Sequence, residues 1–319
     1  MARINGVLGA LDTAELGFTL MHEHVLTINP AMRQAFPAWL DRAAHVKRAV
    51  AEVRSAKERG VTTIVDLTPI NLGRDIGLIR EVAEKAGMQM IAATGFYWTE
   101  EPWFQGWDVD RLVEVLVRDI THGIEGTDIK AGIIKCATDH LGVTELNQKL
   151  LRVAARLHRA TGVPISTHTD PHIKVGLVQQ DVFAEEGVDL SRVVIGHCGD
   201  TTNAEYLEEI AKRGSFLGMD RFGLDMMLSG PERVSIVAEM CRRGYANQLV
   251  LSHDHCCHID WFPPEALETM RAAVAPNWNF RHVSDNVIPA LRKEGVPQAQ
   301  IDAMTIGNPR RIFERQGSY

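Results

Sequence analysis

Eight short apolar runs, each followed by a stretch with helical periodicity, constrain this chain more than any other feature. The runs fall at 18–21, 61–67, 89–94, 129–135, 163–168, 193–197, 215–220 and 248–254. Helical patterns cover 41–59, 74–86, 109–122, 144–160, 174–186, 203–213 and 231–243 between them, and 285–294 follows the last run. Runs so nearly continuous in apolar residues are covered on both faces, and a return through a helix makes neighbouring strands parallel. Eight such units predict a closed (β/α)8 TIM barrel. The alternative, an open doubly wound sheet, lacks its signature, because no Gly-x-Gly-x-x-Gly follows an early strand. Two alternations within 3–17, separated by Leu11-Asp12-Thr13, predict a short hairpin ahead of the barrel. The segment 255–284 predicts a long loop after the eighth strand. A length of 319 residues would ordinarily suggest two domains. Barrels of this class run to about 200–400 residues as one unit, so a single domain over 1–319 is expected.

Composition narrows the partners. Hydrophobic residues make up 45% and charged residues 24%, and the net charge of -7 without a basic stripe argues against nucleic acid. No apolar run approaches the roughly 20 residues of a membrane span. The opening Met1-Ala2-Arg3-Ile4-Asn5-Gly6 lacks the apolar core of a signal peptide. Five cysteines (Cys136, Cys198, Cys241, Cys256, Cys257), an odd count with a vicinal pair, fit a reducing compartment. A cytoplasmic location is the expectation.

In a (β/α)8 barrel, chemistry is built at the C-terminal ends of the strands. Reading those ends gives His22 and His24 on the first strand, Lys135 on the fourth, His168 on the fifth, His197 on the sixth and Asp254 on the eighth. Singly, each has a structural reading. His168 could cap a loop through Thr167 or Thr169, His197 could be a core histidine beside Cys198, and Asp254 could be a helix N-cap. Lys135 could pair with Asp139 or another carboxylate, but between Ile134 and Cys136 a cation is poorly solvated. Together the six fit two metal ions. Four imidazoles, a carboxylate and a lysine suit Zn, Co, Mn or Fe better than Ca or Mg. A neutral lysine amine can add carbon dioxide, and the carbamate has two oxygens with which to bridge two cations.

The ordered set Met21-His22-Glu23-His24, Gly132-Ile133-Ile134-Lys135-Cys136-Ala137, Ser166-Thr167-His168, Ile195-Gly196-His197-Cys198-Gly199-Asp200, Leu217-Gly218-Met219-Asp220-Arg221, Ser252-His253-Asp254 and Asn308-Pro309-Arg310-Arg311-Ile312-Phe313 runs over nearly the whole chain. It resembles the phosphotriesterase family of the amidohydrolase superfamily, most closely its lactonase branch. The resemblance implies that His22, His24, Lys135 and Asp254 hold the more buried metal. It implies that carboxylated Lys135, His168 and His197 hold the more exposed one. A bridging hydroxide would attack the carbonyl or phosphoryl centre while Asp254 takes or relays the proton.

Lactonase relatives carry the equivalent of Cys256-Cys257-His258-Ile259-Asp260-Trp261 after the eighth-strand aspartate, a Tyr after the third strand (here Tyr97) and an Arg after the seventh (here Arg221). The resemblance therefore implies that Tyr97 and Arg221 act with Asp254, and that Tyr97, Arg221, Cys256 and Trp261 contact substrate. The structural readings are Tyr97 and Trp261 as core aromatics and Arg221 paired with Asp220 or Asp225. An apolar channel at Cys256 and Trp261 would gain about 0.8 kcal/mol per buried methylene, favouring a fatty acyl lactone over a compact triester. N-acyl homoserine lactones or γ/δ-lactones are the expected substrates, with weak phosphotriesterase activity on the side. An organophosphate, carboxylester or amide hydrolase on the same site is the alternative, and a non-catalytic metal- or ligand-binding barrel is the alternative of another class. Two features stand apart from the branch pattern: the acidic, Trp-rich stretch 98–107, and His255 where an aromatic is frequent. Both lie at the mouth, and His255 and His258 are expected behind the metals or at the surface. The resemblance also implies a homodimer.

Overall fold

In the computed structural model, which describes residues 2–314 and 317–319, an antiparallel hairpin precedes a ring of eight parallel strands. Met1, with which the expected domain begins, and Arg315 and Gln316 lie outside the described residues. Strands β1 (Arg3–Gly6) and β2 (Gly9–Asp12) form the hairpin, turning at Val7 and Leu8. Leu11-Asp12-Thr13 is therefore not the turn: Asp12 ends β2 and its side chain caps a short 3-10 turn at Thr13–Glu15.

The ring comprises β3 (Phe18–Glu23), β4 (Val61–Asp66), β5 (Gln89–Gly95), β6 (Ile133–Ala137), β7 (Ile165–His168), β8 (Val193–Ile195), β9 (Phe216–Met219) and β10 (Leu249–Leu251), hydrogen-bonded in that order. Helices cross between them as the periodicity predicts, and six start under Asp41, Asp75, Asp108, Thr144, Asn203 and Ser229 side-chain caps, whereas Val175–Glu185 has no side-chain cap. Two apolar layers result. Met21, Val65, Ile91, Ile133, Val194 and Val250 fill the interior with Ile4 and Leu11 of the hairpin and Ile312 and Phe313 of the last helix. The larger layer lies between strands and helices.

Three departures from the expected elements position the site. The fourth barrel strand begins at Ile133, not Ile129. Ala131 N bonds Asp119 O, and the Asn5 side chain takes the Ala131 and Ile120 carbonyls, so this stretch anchors the hairpin before the strand starts. The strand also runs on to Ala137, so Lys135 lies inside it and not at its end. Strand β3 carries a register shift between Leu20 and Glu23 opposite β4. Such a bulge re-aims side chains: Met21 joins the interior while His22 and His24 both face the mouth. Finally, β8 and β10 are shorter than their apolar runs, because the chain turns at His197 and Asp254 through left-handed φ values of +59° and +51°.

The ring closes beyond the ends of β10 and β3. Asp254 N bonds His22 O, His24 N bonds His255 O, and Cys257 N bonds His24 O. The segment 255–284 is not all loop. It contains helix Pro264–Val274, started by a proline at its first turn, and the closing helix is Ile288–Lys293 behind a π-helical turn at Val283–Val287. No helix among the described residues is long and apolar enough to cross a membrane.

Candidate metal centre

The structure brings His22, His24, Lys135, His168, His197 and Asp254 into one buried cluster at the mouth. Lys135 Nζ lies 3.0 Å from His22 Nε2, and Asp254 Oδ1 lies 3.3 Å from His22 Nε2 and 3.0 Å from His24 Nε2. His197 Nε2 lies 2.8 Å from His168 Nδ1, and the His22 and His197 rings stack at 5.0 Å. The strand ends do this: β3 supplies His22 and the position just past its end supplies His24, and β6, β7 and the turns after β8 and β10 supply one each. Gly95, at φ +117° beside Lys135, has no room for a β-carbon, which would sit 2.0 Å from Lys135 O.

Each ring is held from behind. Asp220 is bonded by His22 Nδ1 at 2.8 Å and by His197 Nδ1 at 2.9 Å; Asp139 by His168 Nε2 at 2.9 Å; Thr68 by His24 Nδ1 at 2.9 Å. Sequence reasoning missed Asp220, Asp139 and Thr68 as supports. The signal for Asp220 was available, since it is a carboxylate ending a barrel strand. These contacts also differ from several of the structural readings. Asp139 pairs with His168 rather than Lys135, and the Thr167 and Thr169 hydroxyls bond Gly196. Arg221 bonds Asp254 at 2.9 Å and Asp200 at 2.9 Å, not Asp220 or Asp225.

Electrostatics follow from burial. Burial pulls His168 down to about 4 and His197 down to about 3, with Arg221 adding to both, and it lowers His22 as well. Burial pulls the Lys135 ammonium down to about 8 against the raising effect of Asp254 and Asp220. Burial alone would raise Asp254, but His22, His24, His197 and Arg221 hold it well below the usual carboxylate range. The same contest lowers Asp139, through His168, and Asp220, through His197 and His22.

That balance tests whether the donors fit a metal. His168 and His197, both neutral, carry two N–H protons for three contacts: His168 to Asp139, His197 to Asp220, and each other. With the protons turned to the ionised carboxylates, two bare lone pairs face each other at 2.8 Å. A cation between the rings resolves this, and an outward N–H on a carboxylate is the usual support of a metal-bound histidine. His22, His24 and Asp254 likewise place one donor atom each within 4.8 Å of the others. The donor set fits divalent metal.

Above the cluster lies a cavity of about 220 Å³ lined by Lys135, His168, Tyr97, Arg221, Cys256 and Trp261, among others. Tyr97 is buried, its ring 5.1 Å from that of His168 and 6.3 Å from that of Trp261. Burial pushes its phenol up, so it stays protonated. Cys256 is buried beside Thr27, whereas Trp261 is 56% exposed at the rim and so is not a core aromatic. His255 bonds Glu52 at 2.7 Å between Trp278 and Phe280, and His258 lies against His45; both face helix Arg42–Lys57.

A model of the Phosphotriesterase family matches residues 2–313. The chain is 49% identical to the phosphotriesterase homology protein of Mycobacterium tuberculosis (strain ATCC 25618 / H37Rv), with 100% of both covered. It is 38% identical to the aryldialkylphosphatase of Saccharolobus solfataricus (strain ATCC 35092 / DSM 1617 / JCM 11322 / P2), over 95% of this chain and 97% of that protein. At 25% identity it resembles the N-acetyltaurine hydrolase of Danio rerio, over 97% of each. The solved structure of the phosphotriesterase from Mycobacterium tuberculosis superimposes with a TM-score of 0.95 at 48% identity, covering 100% of both chains. This chain belongs to the phosphotriesterase family of metal-dependent hydrolases.

Proposed function

We propose that the protein is a binuclear metal hydrolase that opens lactones, N-acyl homoserine lactones or γ/δ-lactones among them. The observation that carries this reading is the cavity wall directly above the donor cluster. Leu224, Met226, Met227, Ile259, Trp261 and Phe262 make it apolar, a surface suited to an acyl chain.

In this reading His22, His24, Lys135 and Asp254 hold one metal, and Lys135 as a carbamate, His168 and His197 hold the other. The depressed Lys135 favours the carbamate, because only the neutral amine adds carbon dioxide. Zinc is the first choice, with cobalt, manganese or iron suited to the same nitrogen and oxygen donors. The metals would supply a nucleophilic hydroxide at neutral pH and polarise the substrate carbonyl. Asp254 relays the proton while Arg221 fixes its carboxylate at 2.9 Å, and the Tyr97 phenol donates to a substrate oxygen. Cys256 and Trp261 line the acyl path.

Hydrolysis of phosphotriesters is the second reading, favoured by the aryldialkylphosphatase name of the Saccharolobus relative. We propose it as a weak side activity, because the same nucleophile can attack phosphorus. We further propose that 1–319 works as one domain, since Ile4 and Phe313 from the two ends share one interior cluster. Five free, buried cysteines support a cytoplasmic setting, and the homodimer rests on resemblance to the family's lactonases.

The test is proton release from an N-acyl homoserine lactone by the metal-loaded protein, repeated after chelation. The reading expects turnover that chelator abolishes and added zinc, cobalt or manganese restores. Absence of ring opening with every metal would contradict it.

A further inference from the structure

Glu23 stands between His22 and His24, and β-alternation would turn it away from the centre. It is nevertheless fully buried (0% exposed) and reaches across the seam where the barrel closes. Its Oε1 accepts from Ser252 Oγ at 2.9 Å, His253 N at 3.0 Å and His253 Nδ1 at 2.6 Å, and its Oε2 accepts from His255 N at 2.8 Å. His253 Nε2 accepts from Val283 N, which fixes the ring proton on Nδ1, facing Glu23.

Those donors flank one residue, Asp254. Its φ of +51° is a conformation that a β-carbon disfavours. Main-chain N–H groups on either side of a left-handed residue converge into an anion-binding nest, and here the anion is built into the chain. The same turn is tied by Asp254 N to His22 O and by Trp278 Nε1 to the His253 and Asp254 carbonyls.

We infer that Glu23 is the positioning residue of Asp254: its carboxylate holds the turn 252–255 in the left-handed form that aims Asp254 at the metal centre. It acts through Asp254: its carboxylate bonds Ser252, His253 and His255, and it does not line the substrate cavity. The inference rests on the metal-centre reading above, and it adds a role for the middle member of the His-Glu-His triplet.

Glu23→Gln keeps the volume but places an amide N–H₂ among donors, whereas Glu23→Asp shortens the chain and keeps a full acceptor. Acceptor chemistry therefore ranks Asp above Gln, and packing ranks Gln above Asp. With folded, metal-loaded protein, Glu23→Gln is expected to lose about 10–100-fold in kcat, with KM nearly unchanged, and to release one metal faster to a chelator. Glu23→Asp is expected to recover most of both. Gln behaving as the parent, or better than Asp, would overturn the inference. Should Glu23→Gln not fold, Ser252→Ala, which removes one donor, takes its place with a smaller loss in the same direction; no loss there would overturn it equally. Hydrogen exchange at the His253 and His255 amides, measured without metal, separates the two readings. A parent that binds no metal sinks the metal centre, whereas amides as protected in Glu23→Gln as in the parent sink the nest.

Discussion

At the floor of the cavity the polar side chains are braced by a second polar layer: His22 and His197 by Asp220, His168 by Asp139, and Arg221 by Asp200. Asp200 is itself held by the fully buried Arg233, which also takes the Gly199, Leu224 and Leu228 carbonyls. At the rim the order is reversed. Met226, Met227, Trp261 and Phe262 are 59, 46, 56 and 44% exposed, and their contribution is apolar surface. A floor stiffened by charge-assisted bonds tolerates little change, because breaking one partner strands another in a low-dielectric interior. A rim of exposed apolar side chains changes at small cost to the fold. On the proposed reading, the reaction type would therefore reside in the floor and the choice of acyl group in the rim.

Mutation can break that division. Lys135→Ala strikes the floor at its centre and should abolish metal pairing and cost about 4 kcal/mol, roughly a thousandfold in kcat/KM, on lactone and phosphate alike. Hydrolysis surviving in this variant with metals absent would refute the bridging carbamate. Asp220→Asn removes the brace shared by His22 and His197 and should lower metal affinity about 10–100-fold, read by chelator competition. Unequal loss on long and short lactones there would blur floor and rim. Trp261→Ala belongs to the rim: KM for a long-acyl lactone should rise about tenfold and for a short one hardly at all, with metal content unchanged. Equal effects at all chain lengths would end the acyl-path argument.

The smallest effect concerns the wall behind the rim. Burial, with His258 and Arg48, pulls His45 down to about 4. Between about 4 and 6.5 the unfolded chain binds the proton and the folded one does not. Stability from this group is thus complete above 6.5 and lost as pH falls toward 4. Acidification from pH 7 to 5 should cost on the order of 1 kcal/mol, and His45→Leu should flatten the melting-temperature slope.

The sequence carried the barrel because eight apolar runs admit few other closures, and it carried the donor candidates because they end strands. It offered Asp220 as a strand-end carboxylate but did not single out the supports. Asp220 and Asp139 are ordinary carboxylates at strand-to-loop junctions, where an N-cap is as natural. Glu23 was hidden by the bulge in β3, since simple alternation sends it outward. Helix Pro264–Val274 was hidden by Pro263-Pro264, which reads as a loop although proline suits a first helical turn. For the carboxylates a contact distant in sequence decided the outcome.

The most direct test of the account is kcat/KM, on one preparation of metal-loaded protein, for a long-chain acyl homoserine lactone, a simple δ-lactone and an aryl dialkyl phosphate. The account predicts a lactone preference over the phosphate of several powers of ten, with the two lactones ranked by the size of the apolar path. A preference for the phosphate would contradict it and leave Tyr97 and Trp261 without the roles assigned to them.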